Sequence, residues 1–400
     1  MRILYVVPFV PWPLRVRSYN LIPRLARNHE IHLLCVSSAP PDDVQKAYLE
    51  RFCRQLVHVP RGKLQSMLQC ALALPTKTPL RMAYFKSSAA STAVRRLLHE
   101  VNPDVIYVER WRALQYAPEN VQVPVVCDPT DSMLLYNQRL MRTGNWLERL
   151  IAFEESLKFR KYEAKLAQRV DASVFCSSVD LECVHKHTLD AKLALVPNGV
   201  DCRAFFPKQP REEDPNTIVF TGDFNYSPNR HAVSFFLKQI FPLIRGQVPA
   251  AKFIAVGRGA AGRVQVTRGV SAVDFVPDLR AHIAKAAVAV APITVGAGVS
   301  NKIGQAFAVG TAVVATRLAC GDLPVRSGEH LLLADDPTDF AARVVSLLSD
   351  PDLRSQLALS ARRFVEEKYE WEIVAARMEQ LLLEVVQRRV VTEEMANSMA

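Results

Sequence analysis

The chain reads as an α/β protein built from two doubly wound, parallel-sheet domains in series. Three observations predict this. Short apolar runs alternate with helical patterns along the whole length. The alternation stops at VPNGVD (Val196–Asp201) and the charged, proline-containing stretch from Pro207 to Pro215, and then restarts. Several apolar runs end in glycine turns that open helices, most fully in GAGVSNKIGQAFAVGTAVVAT, Gly296 to Thr316.

In the first half, RILYVVP is a strand that breaks into the proline-rich loop PFVPWPL. A helix from about Ser18 to Asn28 and a strand from Ile31 to Val36 follow, a βαβ beginning whose loop lies at the strand's carboxyl end, where α/β proteins bind ligands. Arg15 or Arg17 could meet an anion there, or be surface arginines beside a helix start; both readings stand. Val105 to Val108 is a strand with Glu109 and Arg110 at its exit. Val123 to Cys127 is another, running into Asp128, Pro129, Thr130, Asp131 and Ser132. Ser132 reads as the cap of the next helix, while Asp128 stays open between cap and site. Met133 to Gln168 reads as one helical pattern, with Leu147, Ile151, Phe159, Tyr162 and Leu166 at helical spacing. Its mixed charges, with Glu154, Glu155 and Glu163, favour an outer helix packed on the sheet over one lying on a membrane. Strands at Ala172 to Cys176 and Leu193 to Val196 complete the half.

The second half begins with TIVFTGDF, a strand ending in a glycine turn, and a helix from Pro228 to Arg245. AKFIAVGRG, Val273 to Val276 and Val288 to Ala291 are further strands, and the last leads into the Gly296–Thr316 unit. A short apolar stretch follows at Leu331 to Leu333, then helices near Thr338 to Leu348, Leu353 to Glu366 and Glu370 to Val386. The Gly296–Thr316 unit is strand exit, glycine turn, helix start, helix and strand. Unpaired N–H groups in a first helical turn favour an anion, and Lys302 adds a full positive charge beside them. A diphosphate is the natural guest; an ordinary capped αβ crossover with a solvated lysine is the alternative.

Composition narrows the class. With 400 residues and 49% hydrophobic content the chain suits two well-buried domains, and no apolar run reaches membrane-span length. Met1 to Val10, interrupted by Pro8, is expected to be a core strand rather than a secretory signal. Eight cysteines without CxxC pairs indicate neither a zinc ribbon nor a disulfide framework, and a reducing cytoplasm is expected. Residues 1–200 carry 27 Lys plus Arg against 18 Asp plus Glu, whereas residues 201–400 carry 23 against 22. The excess charge of the first half could attract anionic lipid or a phosphorylated acceptor. Nucleic acid is disfavoured, since no basic block is interleaved with aromatics. A Rossmann-type dehydrogenase is disfavoured too, because GxGxxG is missing after the first strand.

The chain resembles the family-4 glycosyltransferases of GT-B fold over essentially its whole length. The resemblance rests on MRILYVVPFVPWP with Arg17, NHEIHLL, VPNGVD, FTGDFNYSPN, FIAVGRG, VDFVPDL and VAVAPITVGAGVSNKIGQAFAVGTAVVAT, and on SGEHLLLADDPTDFA and YEW near the end. The GDFNYSPN form is most similar to a bacterial subgroup linked to exopolysaccharide and export-associated gene clusters. It implies an N-terminal acceptor domain over 1–197, a linker over 198–215, and a nucleotide-sugar domain over 216–375. A C-terminal helix over 376–400 would pack back on the first domain. The activity implied is retaining sugar transfer from a nucleotide donor to a glycan or lipid-linked acceptor, with neither cofactor nor obligate metal. The place would be the cytoplasm, with peripheral contact at the inner membrane face. Gly222 and Asp223 would face the phosphates, Arg258 would lie near the diphosphate, and Val276 to Asp278 beside the base. Gly298, Ser300, Asn301 and Lys302 would bind the diphosphate at the helix start. Lys302 and Arg258 would carry catalysis by stabilising the leaving diphosphate, and the acceptor would sit around Arg17, Glu109 and Asp128.

This sequence also departs from the family. Where many members carry two glutamates seven residues apart, it has Ala297 and Gln305. Gln305 can still bond a ribose hydroxyl, without the charge assistance that roughly doubles such a bond. Gly304 beside it weakens a helix by about 1 kcal/mol relative to alanine. The first loop has Trp12, Pro13 and Leu14 in place of glycines, and the histidine often found at the end of the middle strand is missing. Two readings follow: an active transferase, whose diphosphate stabilisation needs no side-chain base, or a degenerate relative that binds a nucleotide or partner without catalysis.

Overall fold

A computed structural model of the chain describes residues 1–13, 15–143, 146–207, 213–295, 301–321 and 323–398. These residues form two units: Met1–Pro197 together with the chain from Glu372 onward, and Asn198–Trp371.

The first unit holds a seven-stranded sheet: β1 (Arg2–Val7), β2 (Glu30–Ser37), β3 (Gln55–Pro60), β4 (Val105–Glu109), β5 (Val125–Thr130), β6 (Ala172–Phe175) and β7 (Leu193–Leu195). Its spatial order is β3-β2-β1-β4-β5-β6-β7 and every pairing is parallel. Strands covered by helices on both faces must be apolar throughout, and RILYVV and VIYV are buried along almost their whole length. The second unit repeats the plan with β8 (Asp214–Thr221), β9 (Lys252–Val256), β10 (Val270–Val273), β11 (Ala286–Ala291), β12 (Ala312–Ala315) and β13 (Leu332–Leu333). Its order is β10-β9-β8-β11-β12-β13, again all parallel. In each sheet the strand order reverses beside the first strand, between β1 and β4 and between β8 and β11. Such a switch point leaves a crevice at the carboxyl ends of the strands, where ligands bind in open α/β sheets.

Some element bounds differ from the sequence expectation. The stretch from Met133 to Gln168 is two helices, Met133–Thr143 and Trp146–Gln168, packed on each other. Glu163 of the second helix is buried against the start of the first, accepting bonds from Met133 N (2.6 Å) and Leu134 N (3.2 Å). Ser132 caps that helix as expected, accepting from Leu135 N at 3.2 Å. The strand expected at Val273 to Val276 lies three residues earlier, at Val270–Val273, and Asp274 to Pro277 form the loop beyond it. Proline lacks the N–H that a parallel ladder needs, so Pro277 belongs outside the sheet.

The final helix, Trp371–Ser398, leaves the second unit and runs along the first. Glu372 receives both Arg24 (3.3 Å) and Arg27 (2.7 Å), and Glu379 meets His29 at 2.8 Å. Its Trp371 is buried against Gly199, where a Cβ would lie 2.6 Å from the indole. Gly199, in the VPNGVD turn, is therefore fixed by that packing.

Candidate functional site

In the second unit the switch point brings Gly222, Asp223, Arg258 and Lys302 of the expected donor residues together around Asn229. β8 ends at Thr221, and Gly222 donates to Val256 O at 3.0 Å, tying the β8 exit to that of β9. A Cβ on Gly222 would meet Asn229 Nδ2 at 2.7 Å, so only glycine lets Asn229 close over the turn. Asn229 is buried, donates to Asp223 O (2.9 Å), and accepts from Lys302 Nζ (3.2 Å). The Lys302 ammonium also sits 5.0 Å from the Phe220 ring centroid. Lys302 is the second residue of the Asn301–Val309 helix, and burial lowers its pKa to about 8. Its cation is thus held in a partly dehydrated place, where a phosphate would raise the pKa again.

Asp223 and Arg258 form an ion pair across the two strand exits, and Asn225 adds bonds at 2.9 and 3.0 Å to the same carboxylate. Burial raises the Asp223 pKa, but the bonds from Arg258 and Asn225 outweigh it and hold the carboxyl below its usual range. Arg258 keeps 50% of its side-chain surface exposed, enough to reach a ligand. Gly257 follows β9 at φ +137°, and a Cβ there would stand 2.0 Å from Gly222 O. That position accepts only glycine.

Asp278 lies on the next loop, capping the Leu279–Lys285 helix through Ala281 N and pairing with Arg280 at 3.1 Å. Val276 packs on the core from that loop, while Phe275 beside it shows 69% of its surface. Asn301 is exposed and Gln305 half-buried on the Asn301–Val309 helix. Gly298, Ser300 and Ala297 lie outside the described residues. Gly304 has a packing reason: a Cβ would come within 2.5 Å of Val200 Cγ2, so its close approach offsets the lost helix propensity. Asn229 and Phe220, which contact Lys302, did not stand out as site residues in the sequence.

In the first unit Arg17, Glu109 and Asp128 come together at the β1/β4 switch point, bonded within a buried network. Arg17 and Asp128 form an ion pair, 2% and 0% exposed. Asp128 also accepts from Tyr107 OH (2.5 Å) and Thr130 Oγ1 (3.2 Å). Glu109 accepts from Tyr5 OH at 3.3 Å, and burial pushes its carboxyl up to about 7. These side chains frame the strand ends rather than project from them. Arg110 and Thr130, at the exits of β4 and β5, have φ of +78° and +71°. Non-glycine residues held there store roughly 1–3 kcal/mol of strain each.

What projects is arginine. Arg110 is partly exposed and meets Asp131 at 3.2 Å. Arg112 lies 4.5 Å from the Phe85 centroid, and Arg61 lies 4.4 Å from the same ring. Arg81 lies over Tyr136 at 4.9 Å. Burial, then repulsion from Arg110, Arg81 and Arg15, lowers the Arg112 pKa to about 9. Gathering like charges in a partly buried place opposes folding and favours an anion. Among the described residues no group of His, Cys, Asp and Glu side chains is placed to hold a metal ion.

Comparison with known proteins accounts for this architecture. A family model described as Glycosyltransferase Family 4 matches residues 15–204, and one described as Glycosyl transferases group 1 matches residues 215–350. The chain belongs to the GT-B glycosyltransferases. The solved structure of sucrose-phosphate synthase from Thermosynechococcus elongatus has the same fold, with a TM-score of 0.73 and 16% identity over 97% of this chain and 100% of the other. Anabaena HepE, solved in complex with UDP-glucose, aligns with a TM-score of 0.68 and 16% identity over 96% of this chain and 100% of the other. In sequence, a Klebsiella pneumoniae relative described as an uncharacterized 44.6 kDa protein in the cps region is 19% identical over 86% of this glycosyltransferase and 88% of its own length. The phosphatidyl-myo-inositol mannosyltransferase of Mycobacterium tuberculosis is 27% identical over 55% of this chain and 60% of its own.

Proposed function

We propose that the chain transfers a sugar, with retention of anomeric configuration, from a nucleotide-diphosphate sugar to a glycan or lipid-linked acceptor of the bacterial cell surface. The observation that carries this is the Lys302–Asn229 contact beside the Gly222 turn and Arg258. Two cations of different hydration, a glycine turn free of side chains and a helix start converge where a diphosphate would leave. Charge developing on that group is stabilised without a proton-transfer residue. Gln305 would hold the ribose, and the loop of Phe275, Val276 and Asp278 would receive the base. The UDP-glucose complex of HepE supports a nucleotide sugar as donor, and the cps-region relative supports a surface polysaccharide as product. The arginines around Arg112 favour an acceptor that carries phosphate.

The test is thermal unfolding with a panel of nucleoside diphosphates and their sugars. At a hundred times its dissociation constant a ligand stabilises by about 2.7 kcal/mol. That corresponds to roughly 5–10 °C for a unit of this size. We expect one base to give this shift. Flat melting curves across the whole panel would remove the donor site from the account.

A further inference from the structure

The Asn229 side chain joins the Lys302 helix to the loop that carries Asp223. Asn229 is the third residue of the Ser227–Phe235 helix and is 8% exposed. Its Nδ2 donates to Asp223 O at 2.9 Å, and its Oδ1 accepts from Lys302 Nζ at 3.2 Å. A carbonyl only accepts and an ammonium only donates, so a single orientation of the amide serves both partners. Gly222 lies directly against that amide, where even a Cβ would come within 2.7 Å of Nδ2. The next residue, Arg230, holds the same loop by a different pair of bonds, from Nη1 to Phe224 O (3.0 Å) and Asn225 O (2.8 Å).

The partner that Asn229 offers to Lys302 is uncharged, and that suits a ligand site. Burial lowers the Lys302 pKa to about 8, so holding the cation there already costs free energy. A carboxylate at position 229 would offset that cost by ion pairing. It would also cancel the charge and repel an incoming phosphate. Lys302 lines a small cavity whose other walls are mostly apolar, Val219, Ile283 and Val290 among them, so a charge there is weakly screened. The carboxylate of the adjoining loop, Asp223, is engaged by Arg258 and Asn225. The amide oxygen of Asn229 therefore aims the ammonium by its dipole and leaves a full positive charge for a ligand.

We propose that Asn229 is a positioning residue for the leaving diphosphate: its amide oxygen aims the Lys302 ammonium without neutralising it, and its amide nitrogen sets the loop that presents Asp223 and Arg258. The inference rests on the donor-site reading for its ligand, but the arrangement it describes belongs to the unliganded chain.

The test compares Asn229→Asp, Asn229→Leu and Arg230→Gln in the full chain, each checked for folding by its melting curve. The titration of Lys302 is followed without ligand by its Cε chemical shift in isotope-labelled protein, assigned by its loss in Lys302→Arg. We expect a wild-type midpoint of about 8. Asn229→Asp should raise it by about one pH unit or more, because it sets an opposite charge beside the ammonium. Asn229→Leu should lower it, because the dipole that favours the cation is gone. Arg230→Gln, which loosens the same loop, should leave it in place. The alkaline limb of kcat/KM should move with the midpoint, up in Asn229→Asp and down in Asn229→Leu. Below the midpoint Asn229→Leu should lose kcat/KM by about tenfold or more, the worth of a hydrogen bond to a charged group. Inorganic pyrophosphate, a probe without a base, should raise the wild-type midpoint and raise that of Asn229→Asp less. Variants that titrate like wild type, or equal shifts in Asn229→Leu and Arg230→Gln, would overturn the proposal and reduce Asn229 to loop packing. The shift in Asn229→Asp decides alone if Asn229→Leu fails to fold. A wild-type midpoint that pyrophosphate leaves unmoved would remove the donor-site reading, and the proposal with it, whatever the variants do.

Discussion

Lys302→Ala is expected to lower kcat/KM for sugar transfer by about a thousandfold, or roughly 4 kcal/mol of transition-state stabilisation. Its melting temperature should stay within a few degrees of wild type. The two halves of this expectation have separate grounds. The ammonium faces Asn229 and the Phe220 ring at the switch point, where leaving-group charge would appear. The same burial that lowers its pKa to about 8 means that holding the charge there opposes folding. Removing it costs packing but relieves that penalty. Steady-state transfer and thermal unfolding, read on the same preparation, separate the two effects. Intact turnover in a folded variant would take Lys302 out of the chemistry.

Asp128→Ala is expected to destabilise the first unit by about 3–5 kcal/mol, because it strands a buried guanidinium. Arg17 is 2% exposed and its carboxylate partner is fully buried. Tyr107 and Thr130 lose their acceptor in the same substitution. The double variant Arg17→Met with Asp128→Ala should be more stable than Asp128→Ala alone, since an apolar pair replaces an unpaired charge. Urea unfolding of the wild type and both variants checks this. A double variant no better than the single one would mean that Arg17 finds another counter-charge, and that the pair is not the frame described above.

The fold was legible because its signals are local. Buried parallel strands such as RILYVV and AAVAVA must be continuous apolar runs, and glycine turns mark their exits. Lys302 stood out for a similar reason, as a charged residue at a helix start beyond such an exit, whereas Asp223 and Arg258 came from the family resemblance. The pairings did not. Lys302 and Asn229 lie 73 residues apart, and Arg17 and Asp128 lie 111 apart, separations that no periodicity encodes. So Arg17, Glu109 and Asp128 read as acceptor candidates, while their geometry makes them a buried frame with Arg110 and Arg112 outside it. Val273 to Val276 read as strand because valine and phenylalanine favour one, yet the ladder ends at Val273 and Phe275 is left exposed.

The central claim is that a nucleoside diphosphate meets the Lys302 ammonium, and proton uptake on binding tests it most directly. At pH 8 the unbound ammonium should be about half protonated, given its pKa of about 8. A diphosphate beside it favours the charged form and raises the pKa, so binding should draw in about half a proton per site. Calorimetric titration of the nucleotide that shifts the melting curve, in two buffers of different ionisation enthalpy, measures that number. The account predicts an uptake of about 0.5 proton in the wild type and close to none in Lys302→Arg, whose guanidinium stays charged. Binding with no net proton uptake in the wild type would contradict it and place the diphosphate elsewhere.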